Sequence, residues 1–200
     1  MSERLKLGFL ASNNGSSFRA VVAAIEAGTL DAEARIVVSN RAAAPALDFA
    51  REHAIPAQCI PTLKDPDAAD GALASALTMA GAELVVLSGY LRKLGPKTLA
   101  AYRNRVLNIH PALLPKYGGQ GMYGRRVHEA VASAGDRVSG ASVHIVDGEY
   151  DQGPVIARSE VALGPDDDAE TIERKVMASE PPLFVDVLRR IERGEIRLPG

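Results

Sequence analysis

Short apolar runs alternating with helical stretches constrain this chain more than any other feature. Residues 5–11 form a compact apolar run, a Ser-, Asn- and Gly-rich segment follows at 12–17, and a helical pattern then continues to about residue 27. The alternation repeats, with strands near 35–39, 57–60 and 83–87 and helices near 45–53 and 67–80. Strands separated by helices do not close as hairpins. They specify an α/β fold of Rossmann-like type, a mainly parallel central sheet with right-handed crossovers and helices on its faces.

After Gly89 the pattern is less regular. A short helix from Pro96 leads to an apolar run at 105–109, then come a glycine-rich stretch at 118–124 and a helix near 125–134. Two β-rich runs, 141–146 and 155–161, flank a turn-forming segment at 148–154, and an amphipathic helix near 168–192 ends the pattern. No repeat, low-complexity tract or linker interrupts residues 1–200, so a single domain is expected.

Composition narrows the function. A net charge of −2 with dispersed basic residues argues against a nucleic-acid backbone as partner, and no segment reaches the roughly 18 apolar residues that a bilayer demands. The start of the chain is too weakly apolar for a secretion signal, and the one cysteine, Cys59, reads as a buried structural thiol. A cytoplasmic protein free of nucleic acid and membrane is expected, any anion it binds being small; composition leaves monomer and homodimer both open.

Chemistry concentrates at residues 108–115. A strand that ends in an amide, an imidazole and a rigid proline has the composition of an active site, and alternation sends Asn108 and His110 to the same side of that end. Asn108 is a donor suited to an oxyanion. Asp151, in a turn between two strands, is placed to approach the imidazole and raise its pKa, or else serves only as a turn-former. His144, alternating with Ser142 in a strand, either supports the site or fills the core. His128, on a helix among charged neighbours, is expected to be solvated. The four histidines lack metal-ligand spacing, so no metal is expected.

Gly15, Ser16 and Ser17 precede the first helix. Gly15 permits close approach to its unpaired amides, so the loop suits either a phosphate or an ordinary helix cap. Neither G-x-G-x-x-G nor a Walker lysine is present, which disfavours dinucleotides and nucleoside triphosphates.

Taken together, Asn108-Ile109-His110-Pro111 with Leu113-Leu114-Pro115-Lys116-Tyr117, Ser139-Gly140-Ala141-Ser142-Val143-His144, and Tyr150-Asp151-Gln152-Gly153-Pro154 resemble the folate-dependent formyltransferases. With the 12–17 loop and the run Val85-Val86-Leu87-Ser88-Gly89-Tyr90-Leu91-Arg92, the likeness covers nearly the whole chain. It points to the members that move formyl from 10-formyltetrahydrofolate, as co-substrate, to the amine of glycinamide ribonucleotide without a metal.

The resemblance implies the Rossmann-like formyltransferase fold and a set of roles. Asn108, His110 and Asp151 would be catalytic. Gly15, Ser16 and Ser17 would hold the substrate phosphate, with Met177 and Glu180 completing the ribose-phosphate pocket. Leu91, Arg92, Lys93 and Leu94 would line the folate pocket with Asn108 and with Asp147, Gly148, Glu149, Tyr150 and Asp151. A cis Leu114–Pro115 peptide is also implied. Ser17, Met177 and Pro181-Pro182 depart from the family's usual residues, and the long glycine-rich loop at 118–124 suggests a lid.

A protonated His110, kept cationic by Asp151, would stabilise charge on the former carbonyl oxygen together with Asn108. Rival readings are a formyltetrahydrofolate hydrolase, against which the phosphate loop argues, and a non-catalytic module that binds a phosphorylated metabolite. Methionyl-tRNA and sugar-nucleotide formyltransferases share the three residues, but the former are expected to carry an extra RNA-contacting domain.

Overall fold

The computed structural model describes residues 4–200. In chain order its elements are β1 (Leu5–Leu10), α1 (Ser16–Glu26), β2 (Ala32–Ser39), α2 (Pro45–Glu52), β3 (Ala57–Cys59), α3 (Pro66–Met79), β4 (Leu84–Leu87), α4 (Pro96–Ala101), β5 (Val106–His110), α5 (Arg125–Ala134), β6 (Val138–Ile145), β7 (Val155–Ala162) and α6 (Ala169–Glu192). The strands form one sheet in the order β3-β2-β1-β4-β5-β6-β7. Strands β1 to β5 pair in parallel, and β6 and β7 add two antiparallel ladders.

The central strands read as continuous apolar runs because helices cover both of their faces. Leu7, Phe9, Leu84, Val86 and Leu107 join the larger core with Phe18 and Val21 of α1 and Phe184 of α6. Their alternating neighbours Leu10, Val85, Leu87 and Val106 join a second core with Leu73 and Leu77 of α3. Gly8 lies where α3 comes close, and a Cβ there would stand 2.7 Å from Leu77 Cδ2.

Two strands begin earlier than the sequence pattern suggests. β6 includes Ser139 and Gly140, which pair with Val161 and Glu160, and β2 begins at Ala32 beside Leu5. Ladder pairing outweighs weak local propensity at these positions. At Gly140 any Cβ would lie 1.9 Å from Ser159 O, so only glycine admits the neighbouring strand. Cys59 is half-buried rather than fully buried, because β3 is a short edge strand.

Helix α6 is capped by Asp168, whose carboxylate accepts from Thr171 N at 2.8 Å. It continues through Pro181 and Pro182. Neither proline has an N–H, so the carbonyls of Met177 and Ala178 lose their usual helical donors. Among the described residues no helix is long and apolar enough to cross a membrane.

From β1 the sheet grows to β2 on one side and to β4 on the other. The loops after β1 and β4 therefore separate above their carboxyl ends, the place where open α/β sheets bind ligands. Ser12 N donates to Gly89 O at 3.1 Å and Ser88 N to Leu10 O at 2.8 Å, which ties the roots of the two loops together.

Candidate active site

Strand β5 delivers Asn108 and His110 to one side of its end, and β6 sets His144 opposite Asn108 and Ser142 opposite His110. Asn108 Nδ2 lies 3.0 Å from His144 Nε2. His144 Nδ1 donates to Ile145 O at 3.1 Å, so a neutral ring accepts the amide hydrogen through Nε2. In its protonated form the same nitrogen can donate to Asp151 Oδ1, 3.4 Å away. His144 thus supports the site rather than merely filling the core, and it leaves Asn108 a second N–H.

Asp151 arrives from the loop between β6 and β7. Its backbone is left-handed, with φ of 56°, a conformation that Asp tolerates better than most residues. One oxygen, Oδ2, accepts from Gly119 N at 3.0 Å and stands 3.4 Å from His110 Nδ1. Gly153 keeps this loop against β6, since a Cβ there would lie 1.8 Å from Ile145 O.

His110 is already committed on its other side. Nε2–H donates to Tyr117 O at 2.7 Å, so Nδ1 is the nitrogen free to work. Tyr117 also has a left-handed backbone, with φ of 58°, and its hydroxyl donates to Asp136 Oδ2 at 2.8 Å. Lys116 holds the same carboxylate at 2.6 Å. Ser142 Oγ donates to Ala112 O at 2.7 Å and accepts from Leu114 N at 3.0 Å, which shapes the turn containing the cis Leu114–Pro115 peptide. Sequence reasoning did not identify Tyr117 or Asp136 as supports.

Protonation differs from the expected pattern. Burial holds His110 below its ordinary pKa, and the nearby Asp151 charge only partly offsets this. Burial pushes Asp151 upward, but His144, the charge of His110 and the Gly119 amide together bring its carboxyl below the usual range. Burial thus works against the imidazolium expected from the residues, while the Asp151 carboxylate works for it.

The loop before α1 lacks an ordinary cap. Gly15 is the N-cap, with φ of 66°, and no side chain caps the helix. Phe18 N is taken by Ser88 Oγ at 2.9 Å, while the Ser16 and Ser17 amides belong to the first turn that helices leave unpaired. Ser17 is buried and Ser16 exposed, so Ser16 presents the accessible hydroxyl. Arg41 Nη1 reaches Asn13 Oδ1 at the loop's edge.

Residues 5–188 match the formyl transferase family. The chain belongs to that family. Among its relatives is the chloroplastic phosphoribosylglycinamide formyltransferase of Arabidopsis thaliana, 35% identical over 97% of this chain and 68% of the relative. The phosphoribosylglycinamide formyltransferase of Bacillus subtilis is 32% identical over 95% of this chain and 98% of its own length. A second plant relative, from Vigna unguiculata, is spanned over only 61% of its length. The solved phosphoribosylglycinamide formyltransferase of Coxiella burnetii has a TM-score of 0.89 at 34% identity, covering 99% of this chain and 92% of that one. A formyltetrahydrofolate deformylase from Pseudomonas syringae also gives 0.89, at 23% identity over 99% of this chain and 64% of its own, which shows shared fold alone.

Within this formyl transferase the two segments expected to line the folate pocket face each other. Lys93 Nζ lies 5.4 Å from the centre of the Tyr150 ring, joining the 91–94 segment to the 147–151 loop. Leu91 and Tyr150 are exposed there. Arg92 and Lys93 are exposed cations, Leu94 packs into the second core, and Asp147 Oδ1 accepts from Glu149 N at 2.9 Å to shape the turn around Gly148.

On α6, Met177 is exposed and Glu180 half-buried. Burial alone pushes Glu180 up to about 7. An acid whose folded pKa exceeds its unfolded value withdraws stability as pH rises from about 4.5 to 7. Glu180→Gln is therefore expected to stabilise the protein at pH 8, by on the order of 2 kcal/mol, and to confer no gain at pH 4.5. Thermal melts of both proteins at the two pH values check this; equal differences at both would refute it.

One expectation fails outright. His128 is 2% exposed, not solvated. It lies on the α5 face that buries Val127 and Val131, whereas the charged neighbours Arg126 and Glu129 point elsewhere on the helix. A cavity of about 730 Å³ lies far from this chemistry, beside β2 and α3, and contains none of the candidate residues.

Proposed function

We propose that the chain transfers a formyl group from 10-formyltetrahydrofolate to the amine of 5-phosphoribosylglycinamide, a step of de novo purine biosynthesis. The observation that carries the reading is the meeting of Asn108, His110 and Asp151, drawn from two separate chain segments, at the sheet's carboxyl edge. The relatives that share most of the chain have names stating the same activity.

Bound formyl folate supplies an electrophilic carbonyl. The second N–H of Asn108 is free to donate to its oxygen as negative charge develops there. Nδ1 of neutral His110 accepts a proton from the attacking amine, and the imidazolium so formed is stabilised by Asp151 at 3.4 Å. The same nitrogen then returns the proton to the departing folate nitrogen. His110 is thus charged only while the reaction needs it, consistent with its lowered pKa at rest.

The ribonucleotide's phosphate is held by the unpaired amides around Gly15 and by Ser16, and the ribose by Glu180. Ionised Glu180 accepts from sugar hydroxyls, which explains the retention of a carboxylate whose burial lowers stability. Met177 offers no polar side chain, but its main-chain carbonyl is released by Pro181.

Folate deformylation followed by absorbance, with and without glycinamide ribonucleotide, tests the assignment. Release that depends on the amine is expected. Release at the same rate without it would make the protein a hydrolase, and ribonucleotide binding without turnover would make it a binding module. Gly15→Val places a branched side chain at a left-handed position 3.3 Å from Ala46 Cβ. It is expected to raise the ribonucleotide KM about tenfold or more while the folate KM stays near its original value. Equal increases in both would count against the phosphate loop.

A further inference from the structure

A neutral His110 ring carries one hydrogen and stands between two acceptors. Tyr117 O lies 2.7 Å from Nε2, and Asp151 Oδ2 lies 3.4 Å from Nδ1. The carboxylate is the stronger acceptor but the more distant one. Which of them takes the hydrogen therefore depends on where the Tyr117 carbonyl is held. With that carbonyl in place the hydrogen stays on Nε2 and Nδ1 keeps its lone pair; with it displaced, Asp151 draws the hydrogen to Nδ1 and the base is lost.

Tyr117 does not favour this placement by its own backbone preference. Its φ of 58° is a left-handed conformation that bulky residues rarely adopt. The side chain supplies the anchor. Its ring packs against the larger core, and its hydroxyl donates to Asp136 Oδ2 at 2.8 Å. Asp136 is itself placed by the chain between the end of α5 and the start of β6, and Lys116 Nζ lies 2.6 Å from the same oxygen.

We infer that Asp136 is a positioning residue for the reaction: through the Tyr117 hydroxyl it holds the carbonyl that keeps the His110 hydrogen on Nε2. The inference rests on the reading of His110 as the proton acceptor. A purely structural role for Asp136 predicts something else. The Lys116–Asp136 pair is open to solvent, and such pairs add little to stability. Its loss would then lower the melting temperature slightly and leave the His110 ring as it was.

Three variants test it. Tyr117→Phe removes the hydroxyl alone, Asp136→Ala removes its acceptor, and Asp136→Asn keeps an oxygen that can accept while losing the charge. Histidine ring ¹⁵N spectra at pH 8, above the ordinary histidine range, report which nitrogen of His110 carries the hydrogen. It is expected on Nε2 in the wild type and the Asn variant, and shifted toward Nδ1 in the Phe and Ala variants. In steady-state assays the Phe and Ala variants are expected to lose about tenfold in kcat, with both KM values within about twofold of wild type and most of the loss absent from the Asn variant. If the Ala variant folds poorly, the Phe variant, which lacks one oxygen atom, carries the same comparison. His110 signals identical in wild type and Phe variant, or equal kcat losses in the Asn and Ala variants, would overturn the assignment. Formyl transfer by the wild type with His110 unmoved in the variants removes this inference alone, whereas a wild type that transfers no formyl removes the proposed function with it.

Discussion

Asp151→Asn is expected to reduce turnover by about a hundredfold or more while the protein remains folded. The substitution keeps the shape of the side chain, and Asn tolerates the left-handed backbone that position 151 adopts. The amide oxygen can still accept from Gly119 N, so the loop keeps its anchor. What disappears is the negative charge 3.4 Å from His110 Nδ1. That charge opposes the effect of burial on the imidazole, so its removal lowers the His110 pKa further. The nitrogen then takes up the amine's proton less readily, and the acidic limb of the kcat profile moves to lower pH. Single-turnover rates with both substrates saturating, measured from pH 5 to 9, check the magnitude and the direction together. Turnover within about threefold of wild type would remove Asp151 from the mechanism.

Asn108→Ala removes a donor instead of a charge. Loss of one oxyanion donor typically lowers kcat by about 10²–10³. An effect of that size is expected here, with little change in either KM, because the lost hydrogen bond strengthens only as charge builds on the reacting oxygen. The variant also leaves His144 Nε2 without the amide that lies 3.0 Å away, so some stability is lost. Thermal melts separate that structural loss from the kinetic one. A large increase in folate KM at unchanged kcat would assign Asn108 to ground-state binding.

Much of the site was legible because strand periodicity is a local property. Asn108 and His110 had to leave one side of the β5 end, and the β-rich runs on either side of Asp151 marked its loop as a link between neighbouring strands. Other features lay beyond any local pattern. The burial of His110 decides its protonation, and that burial is produced by β6, the Tyr117 turn and the Asp151 loop together. The burial of His128 follows from the helix face it shares with Val131, three residues on, and not from its charged neighbours along the chain. Tyr117 and Asp136, nineteen residues apart, meet only because α5 folds back between them.

From the residues alone came the alternation of strand and helix, the parallel sheet, the edge at which we propose chemistry occurs and the three side chains proposed to react there. These follow from side-chain period and from hydrogen-bonding capacity, which each short segment carries within itself. Three-dimensional packing alone determined which nitrogen of His110 is free, that burial holds its ring below its ordinary pKa beside Asp151, and that His144 reaches Asn108. Electrostatics and desolvation depend on everything within several ångströms, and distant stretches of chain become neighbours only when the sheet has formed.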